Sequence, residues 1–321
     1  MQAREPVPLE AILAARDRLA GIALRSPLVR LAADDQPAEI WLKLENLQPI
    51  GSFKLRGAGN AMALADPAEL ARGVYTASAG NMGQGVAWNA RHRGIPCAVV
   101  VPDTAPETKL AALARLGAEV VPVPFDEWWG VLLAHRYEPL ADRHFIHPFS
   151  DPAVMAGNGT IGLEILEDLP DVDAVIVPYG GGGLSCGIAS AVRALDPRVR
   201  VYASEIETAA PLSASLAAGG PTEVPYTPSF VDGIGSKTVL PEMWPLAREL
   251  LAGSLVVSLE QAAAALRLLA ERNRVIAEGA GATPVAAALR GSAGTGTVAC
   301  VVSGGNINAD KLSVILAGGI P

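Results

Sequence analysis

The feature that most constrains the fold is the regular alternation of short apolar, β-branched runs with longer segments of helical periodicity. This order is typical of a largely parallel α/β sheet whose strands are buried on both faces by helices. The apolar runs predict strands, and the segments between them predict helices. The predicted strands are residues 40–44, 74–77, 98–101, 119–122, 174–177, 199–203, 255–257 and 297–302, and the predicted helices include 81–93, 107–115, 152–166, 184–194 and 259–271.

The composition indicates a chain that can form two lobes and excludes several kinds of partner. Its 321 residues carry a formal charge of −8 and show no basic stripe for nucleic acid. No uninterrupted apolar run approaches the roughly 18–20 residues of a membrane span. The start of the chain lacks the apolar core of a signal peptide, and the scattered Cys97, Cys186 and Cys300 indicate reduced thiols. We therefore expect a cytoplasmic protein that binds neither nucleic acid nor a membrane.

Three turns that follow predicted strands are rich in small polar residues, and the first spans residues 78–84. Its sequence, SAGNMGQ, directly precedes a predicted helix. Backbone N–H groups at a helix N-terminus bind carboxylates and other anions, and Asn81 and Gln84 add side-chain amides. Ordinary helix capping by Ser78 and Asn81 is the alternative. Because ligands bind at the carboxyl ends of strands in open α/β sheets, we expect the three turns to share one crevice.

The second turn consists of four consecutive glycines, Gly180, Gly181, Gly182 and Gly183, between a predicted strand and a predicted helix. Glycine loses more backbone entropy on folding than other residues, so such a run indicates a close approach to the backbone. A phosphate held by N–H groups and the helix dipole is the ligand that this setting favours. The spacing fits a dinucleotide-binding fingerprint poorly. A tight turn without a ligand is the alternative.

The third turn, Ser303-Gly304-Gly305-Asn306, follows the apolar strand predicted over 297–302. A hydroxyl at the end of a strand can bond a heteroatom of a ligand held in the crevice. A simple turn closed by asparagine is the alternative. The stretch 219–237, rich in Gly, Pro and Thr, predicts a surface loop over the same crevice.

Lys54 stands ahead of a helical segment, a position where most lysines are solvated surface cations. An aldehyde cofactor needs four kinds of group together: a lysine, a phosphate site, an anion-binding turn and a hydroxyl at the end of a strand. A lysine amine in a desolvated, partly electropositive site has a lowered pKa and becomes a nucleophile towards a carbonyl. The combination therefore predicts that Lys54 bonds such a cofactor.

These motifs resemble those of the fold-type II pyridoxal-phosphate enzymes, and among them the threonine/serine dehydratases and serine racemases. The resemblance runs in order along nearly the whole chain. It includes ENLQP at 45–49, SFKLRGA at 52–58, SAGN followed by QGVA within 78–87, the four glycines at 180–183 and SGGN at 303–306. Together, at these separations, these motifs are far more specific than any one of them.

The resemblance implies a two-domain α/β fold of the tryptophan synthase β type, with mostly parallel sheets flanked by helices. A large cofactor-binding domain would comprise residues 1–54 and 149–321. A small mobile domain, residues 55–148, would hold the substrate carboxylate. The resemblance also implies a homodimer, an amino-acid substrate and pyridoxal 5′-phosphate as the cofactor.

The resemblance further implies a role for each matching residue. Lys54 would form the Schiff base with pyridoxal phosphate and move the Cα proton of the substrate. The other cofactor contacts would be Phe53 beside the ring, Asn81 at its 3′-oxygen, Ser303 at the pyridine nitrogen, Glu278 close to the ring, and Gly180, Gly181, Gly182 and Gly183 around the phosphate. The substrate would be held by the turn of Ser78, Ala79, Gly80, Asn81 and Met82.

The implied activity is β-elimination of water from a β-hydroxy amino acid such as threonine or serine, which gives a 2-oxo acid and ammonia. A serine hydroxyl at the pyridine nitrogen cannot keep that nitrogen protonated as a carboxylate would. The carbanion is then less delocalised into the ring, so the loss of a β-leaving group competes well. The cofactor supplies the electron sink, and the protein supplies orientation and electrostatics.

Three departures from the family pattern bear on this activity. Racemases carry a second serine where this chain has Ala79, so dehydration is favoured over racemisation. Many dehydratases have histidine where this chain has Met82, which leaves the substrate preference open and includes a larger or more apolar β-substituent among the alternatives. Relatives often bind a divalent cation through a glutamate and a later aspartate, but here the later position falls near Pro211. We therefore predict no metal and interpret Glu205 and Glu207 as a solvated acidic loop.

Several alternatives to the threonine or serine substrate stay open. Other substrates would be 3-hydroxyaspartate, phenylserine or an amino acid derived from hydroxyectoine, and other reactions would be serine racemisation or β-replacement. The sequence FKLRG at 53–57 favours the dehydratases over the cysteine synthases, which lean towards an acidic residue after the lysine. A protein that binds a nucleotide or sugar phosphate at residues 180–183 without covalent chemistry is the alternative from another class.

Overall fold

Two sheets, one of six strands and one of four, form the framework of the computed structural model, which describes residues 4–321. The strands are β1 (Leu28–Arg30), β2 (Glu39–Leu44), β3 (Val74–Ala77), β4 (Cys97–Pro102), β5 (Glu119–Val123), β6 (His144–Phe145), β7 (Ala174–Pro178), β8 (Arg200–Ile206), β9 (Gly253–Val257) and β10 (Thr297–Val302). The helices are α1 (Leu9–Arg18), α2 (Lys54–Leu64), α3 (Pro67–Arg72), α4 (Asn81–Arg93), α5 (Glu107–Arg115), α6 (Phe125–Ala134), α7 (Pro152–Asp168), α8 (Gly183–Leu195), α9 (Pro211–Ala218), α10 (Trp244–Leu250), α11 (Leu259–Leu268), α12 (Gly279–Leu289) and α13 (Ala309–Leu316).

The larger sheet has the strand order β1-β2-β10-β7-β8-β9 and is parallel except for the antiparallel edge pair β1–β2. Helices cover both of its faces. Along β10, Ala299 and Val301 pack into one hydrophobic cluster, and Val298, Cys300 and Val302 pack into another. Burial on both faces explains why this strand is an uninterrupted apolar run in the sequence.

The smaller sheet has the order β5-β4-β3-β6, and all of its strand pairs are parallel. Its strands lie between Val74 and Phe145, inside the segment 55–148 that the sequence assigns to a small domain. Alternate residues of β4 again face two clusters, Val99 and Val101 on one side and Ala98 and Val100 on the other. The movement of this segment as a domain stays a prediction.

Helices α2, α7 and α8 pack so closely that their backbones touch. A Cβ atom on Gly157 of α7 would lie 2.5 Å from the carbonyl oxygen of Arg56 in α2. A Cβ atom on Gly187 of α8 would collide with the carbonyl oxygen of Met155 in α7. Glycine at these positions therefore fixes the spacing of the two helices whose first residues, Lys54 and Gly183, belong to predicted motifs.

A buried network of charges joins α2 to α7 and to the end of β2. The Arg56 guanidinium donates to Glu45 Oε1 and Oε2, each at 2.8 Å, and to Glu164 Oε1 at 2.6 Å. Lys43 Nζ lies 2.6 Å from Glu164 Oε2 and donates to the carbonyl oxygen of Ser26 at the same distance. The carboxylates raise the pKa of Arg56, while its burial acts in the opposite direction. Every charge in the network has a partner of opposite sign, as burial requires.

The observed element boundaries agree closely with the predictions where glycine or a polar turn marks an end. The elements at 74–77, 81–93, 107–115 and 297–302 have the predicted limits. The helix predicted over 259–271 ends instead at Leu268 and continues as a π-helical turn, Leu269–Asn273. The longest helix in residues 4–321, α7, has 17 residues, and none there combines the length and apolar character needed to cross a membrane.

The interpretation of Glu205 and Glu207 as a solvated acidic loop was wrong for Glu205. That residue lies in β8 and is only 1% exposed. Its carboxylate accepts backbone N–H bonds from Leu212 and Ser213, each at 2.8 Å, and a bond from the Ser254 hydroxyl. It therefore caps the N-terminus of α9, where backbone N–H groups otherwise lack partners. Glu207 is exposed, and it accepts a bond from the first N–H of α11.

Candidate active site

A cavity of about 720 Å³ opens where strands of both sheets end. Residues after β3, β4 and β5 of the smaller sheet and after β7 and β10 of the larger sheet line it, as expected for α/β sheets. The residues predicted to bind the cofactor and the substrate lie in its lining: Phe53, Lys54, Ser78, Ala79, Gly80, Asn81, Met82, Gly180, Gly181, Gly182, Gly183, Glu278 and Ser303. Gln84, the second amide predicted for the turn before α4, is not part of it and lines a separate pocket with Ile50 and Asn306. The predicted turns therefore share one crevice, while the role of each residue stays a prediction.

Lys54 is the first residue of α2 and projects into this cavity partly buried. Its Nζ donates to the carbonyl oxygen of Pro148 at 2.6 Å and lies 5.2 Å from the centre of the Phe53 ring. Among residues 4–321 no carboxylate forms an ion pair with it. Burial lowers the pKa of Lys54 to about 8, although the nearby Glu278 charge acts in the opposite direction. The amine is therefore much easier to deprotonate than that of a surface lysine.

The four-glycine turn leaves the N-terminus of α8 open to the cavity. Gly182 has φ +89°, in the left-handed region that favours glycine, and no side chain caps the helix. A Cβ atom on Gly181 would overlap the Phe149 ring, so the turn has no room for a side chain there. The first N–H groups of α8 thus face the cavity and can bind an anion.

The Tyr179 hydroxyl lies directly beside this turn and is buried without a hydrogen-bond partner in the described part of the chain. It is 3.2 Å from the position that a Cβ atom on Gly182 would occupy. Burial raises the pKa of Tyr179, so the hydroxyl keeps its proton. A buried donor without an acceptor is costly. A phosphate in the glycine turn would supply that acceptor, so these residues fit a phosphorylated cofactor.

Glu278, Asn81 and Asn306 form a hydrogen-bonded chain at the edge of the cavity. Asn81 Nδ2 donates to Glu278 Oε1 at 2.9 Å and Oε2 at 3.0 Å, and Asn81 Oδ1 accepts from Asn306 Nδ2 at 2.8 Å. Burial raises the pKa of Glu278 to about 7, while the bond from Asn81 lowers it. A Cβ atom on Gly304 would lie 2.7 Å from Glu278 Oε1. These hydrogen bonds thus connect α4, which follows the smaller sheet, to the start of α12 and to the turn after β10.

The remaining predicted residues are held by backbone contacts. Ser303 is 2% exposed at the end of β10, and its carbonyl oxygen accepts a bond from the Phe53 N–H at 3.0 Å. The Ser78 hydroxyl accepts from the Gly80 N–H at 3.3 Å, which folds the turn before α4. Met82, in the first turn of α4, is 1% exposed and belongs both to a hydrophobic cluster and to the cavity lining.

One wall of the cavity was not predicted from the sequence. It is formed by Phe125, Trp128, Trp129 and Leu132 of α6, which we call the α6 wall. The rings of Phe125 and Trp128 are 5.5 Å apart, and those of Trp128 and Trp129 are 6.2 Å apart. The spacing i, i+3, i+4, i+7 is that of a helix face packed on a core, so no local pattern indicates that this face borders a ligand site.

The mouth of the cavity is bordered by the loop over residues 219–237. It contains neither helix nor strand, as predicted, and Tyr226 and Asp232 line the cavity. Lys109 Nζ of α5 lies 2.9 Å from Asp232 Oδ2, so an ion pair connects this loop to the smaller sheet across the opening. Both side chains are partly exposed, and the pair is therefore a weak contact.

Comparisons with known proteins agree with this geometry. The family model described as "pyridoxal-phosphate dependent enzyme" matches residues 20–304. L-threonine ammonia-lyase of Geobacter sulfurreducens is 42% identical over 98% of this chain and 79% of its own length. The catabolic L-threonine dehydratase of Escherichia coli K12 is 38% identical over 97% of this chain and 96% of its own length.

Solved structures show the same fold. Maize serine racemase superposes with a TM-score of 0.89 at 30% identity and covers 96% of each chain. Threonine deaminase isoform 2 of Solanum lycopersicum superposes with a TM-score of 0.87 at 32% identity, over 99% of this chain and 90% of its own. The predicted fold class, the cofactor and the carbon–nitrogen lyase chemistry of the threonine dehydratase type are confirmed by these matches. The chain belongs to the family of pyridoxal-phosphate-dependent enzymes.

Proposed function

We propose that this chain eliminates water from a β-hydroxy amino acid and releases a 2-oxo acid and ammonia, with Lys54 as the catalytic base. The observation that carries the proposal is the Lys54 amine, which has a lowered pKa and no ion pair in the described residues. It shares one cavity with the glycine turn and Ser303. Relatives named L-threonine ammonia-lyase and L-threonine dehydratase support a substrate of the threonine or serine type.

The residues that would hold the cofactor lie on three elements. The glycine turn and the Tyr179 hydroxyl would bind its phosphate, Ser303 would bond the ring nitrogen, and Phe53 would pack against the ring. When bound, pyridoxal phosphate supplies an aldehyde carbon that reacts with amines and a ring that accepts electrons from the substrate. The two helices whose N-termini carry Lys54 and Gly183 are held at a fixed spacing by α7, which keeps the phosphate site and the amine in register.

Lys54 would move the proton in this reaction. With a pKa of about 8, roughly a tenth of the amine is neutral at pH 7, against less than about a thousandth for an ordinary lysine. Its present bond to the Pro148 carbonyl oxygen shows that the amine has an acceptor to orient it inside the cavity. The neutral Nζ would accept the Cα proton of the substrate.

The turn of residues 78–82 would bind the substrate carboxylate through its N–H groups at the start of α4. Closure of the segment 55–148 over the substrate would exclude water from its reacting carbon atoms. Ala79 has no group that could exchange a proton on the opposite side of Cα, which supports elimination over racemisation. The homodimer and the cytoplasmic location stay predictions from the sequence.

The test combines a label with a product assay. Protein loaded with pyridoxal phosphate is reduced with borohydride, and peptide mass spectrometry identifies the modified lysine. We expect Lys54, and a label on Lys43 or Lys109 would contradict the proposal. Release of 2-oxo acid and ammonia from threonine and serine, with and without an added thiol, separates elimination from β-replacement. A protein that stays colourless with the cofactor would instead support a non-covalent phosphate-binding function.

A further inference from the structure

The α6 wall lines the cavity with three aromatic rings and a leucine side chain. Trp128 and Trp129 are both partly exposed, and Phe125 is 51% exposed. These rings border the same cavity as Lys54 and the turn of residues 78–82. Aromatic side chains that are left partly uncovered inside a cleft mark a site for an apolar ligand.

The Trp128 side chain also carries a buried polar atom without a partner. Its Nε1 is inaccessible to solvent and has no acceptor among residues 4–321. Because protein atoms already cover Nε1 in the empty cavity, the surface that Trp128 offers to a ligand is its apolar ring and not its N–H group.

The charges around the cavity argue against an acidic side chain at the α6 wall. The wall itself carries no cation, and Lys109 is paired with Asp232 at 2.9 Å. Lys311 of α13 is the third lysine of the lining, with Lys54 and Lys109, and it lies after the turn at 303–306. Met82, in the first turn of α4, lines the cavity with an apolar residue that is 1% exposed, and it adds no charge to that side.

We infer that the α6 wall, with Met82, binds the β-substituent of the substrate and selects an aromatic one, so that the preferred substrates are 3-aryl-3-hydroxy amino acids such as 3-phenylserine. The inference rests on the proposed elimination and names its substrate class. The wall acts as a specificity surface, because it contacts the side chain of the substrate and not the bonds that break. In the reaction the Cα–H and Cβ–O bonds break, water leaves, and the enamine hydrolyses to an aryl 2-oxo acid and ammonia.

The kinetic test compares 3-phenylserine, threonine, serine and 3-hydroxyaspartate as substrates of the holoenzyme. We expect kcat/KM for 3-phenylserine to exceed that for threonine at least about tenfold, and Trp128→Ala and Trp129→Ala to reduce that preference by about tenfold or more. Trp128→Phe keeps an aromatic face and should lose less. Trp88→Ala is the matched control, since Trp88 stacks on His92 outside the cavity and should leave the preference unchanged.

A binding test separates this inference from the proposed reaction. Phenylalanine lacks the β-hydroxyl and cannot eliminate water, so the difference between its affinity and that of 2-aminobutyrate reports on the side-chain contacts with the wall. We expect phenylalanine to bind more tightly than 2-aminobutyrate, with a change in tryptophan fluorescence that Trp128→Ala and Trp129→Ala reduce. Tight phenylalanine binding, combined with no release of a 2-oxo acid from any of the four hydroxy amino acids, would contradict the elimination and support the wall. Turnover of threonine or 3-hydroxyaspartate in preference to 3-phenylserine, unaffected by the tryptophan substitutions, would overturn the inference and leave the elimination standing.

Discussion

Two cations of the same helix, Lys54 and Arg56, have opposite surroundings. Arg56 is 2% exposed, and its guanidinium bonds two carboxylates, the Thr160 hydroxyl and a backbone carbonyl. Lys54, two residues earlier, has a single acceptor, the Pro148 carbonyl oxygen. Two opposing carboxylates raise the pKa of Arg56, whereas desolvation lowers the pKa of Lys54.

The difference shows what a buried charge can be used for. A charge that is fully paired is fixed in its ionised form and holds elements together, which is the position of Arg56 between α2, α7 and the end of β2. A charge that is desolvated but unpaired is close to losing its proton at physiological pH, and it can therefore react. A strongly shifted pKa alone does not distinguish a structural charge from a reactive one. The number of groups that bond to the charge does distinguish them.

Replacing the reactive cation should have the largest effect on activity and little effect on folding. We expect Lys54→Ala to reduce turnover by at least about 10³-fold, because the variant has no amine at the start of α2 to take up the proton. The free energy of unfolding should stay the same or rise slightly, since a desolvated amine with one partner is removed. Steady-state kinetics and urea unfolding of the same preparations measure both quantities. A variant that is inactive because it no longer folds would contradict the comparison.

Replacing the paired cation should do the reverse. We expect Arg56→Met to lower the free energy of unfolding by about 3–5 kcal/mol, because Glu45 and Glu164 lose a buried partner. The matched control is Arg193→Met, which breaks an exposed pair with Glu249 and should cost at most about 1 kcal/mol. Urea unfolding compares the two variants. Equal effects of the two substitutions would show that the network contributes no more than a surface ion pair. In the folded fraction of Arg56→Met, Lys54 should remain the lysine that the cofactor labels.

Glu278 provides an intermediate effect through its pH dependence. Its pKa is about 7 in the folded protein and about 4.5 in the unfolded chain, so between these values the folded state binds more protons. The contribution of Glu278 to the free energy of unfolding is fully present below about pH 4.5 and is lost as the pH rises through 7. The free energy of unfolding then falls by about 1–3 kcal/mol. Unfolding of the cofactor-free protein at several pH values should show this fall, and Glu278→Gln should remove it. Parallel pH profiles of the two proteins would refute the assignment.

The smallest effect is expected at the exposed pair Lys109–Asp232. We expect Asp232→Asn to change the free energy of unfolding by less than about 1 kcal/mol, because both side chains are partly exposed. If the pair helps to hold the loop over residues 219–237, KM should rise a few-fold at low salt and the difference should disappear at high salt. Kinetics at two ionic strengths measure this, and a salt-independent change would exclude an electrostatic contribution.

The sequence predicted the turns of the site far better than the partners of the charged residues Lys54 and Arg56. Residues in turns after strands are constrained by backbone geometry, so Gly180–Gly183, Ser303 and the turn before α4 could be found from local patterns. The partners of Lys54 and Arg56 could not be found in this way. Pro148 and Glu164 lie about 100 residues away in the chain, and only the packing of α7 against α2 brings them close.

Two further features escaped prediction for related physical reasons. A glutamate that caps a distant helix has the same local pattern as a solvated one, so the burial of Glu205 was not visible. An apolar helix face has the same spacing whether it covers a core or borders a cavity, so the α6 wall was not recognised. In both cases the deciding information is the identity of the group opposite the side chain.

The backbone contact between α2, α7 and α8 has a consequence for how this enzyme could change over generations. At positions 157 and 187 even one additional methyl group is excluded, so drift there is blocked in a single step. On the α6 wall, Trp128 and Trp129 face the cavity and can be exchanged without disturbing those helices. We therefore expect evolutionary changes of substrate preference to occur at α6, while the position of the Lys54 amine stays constant.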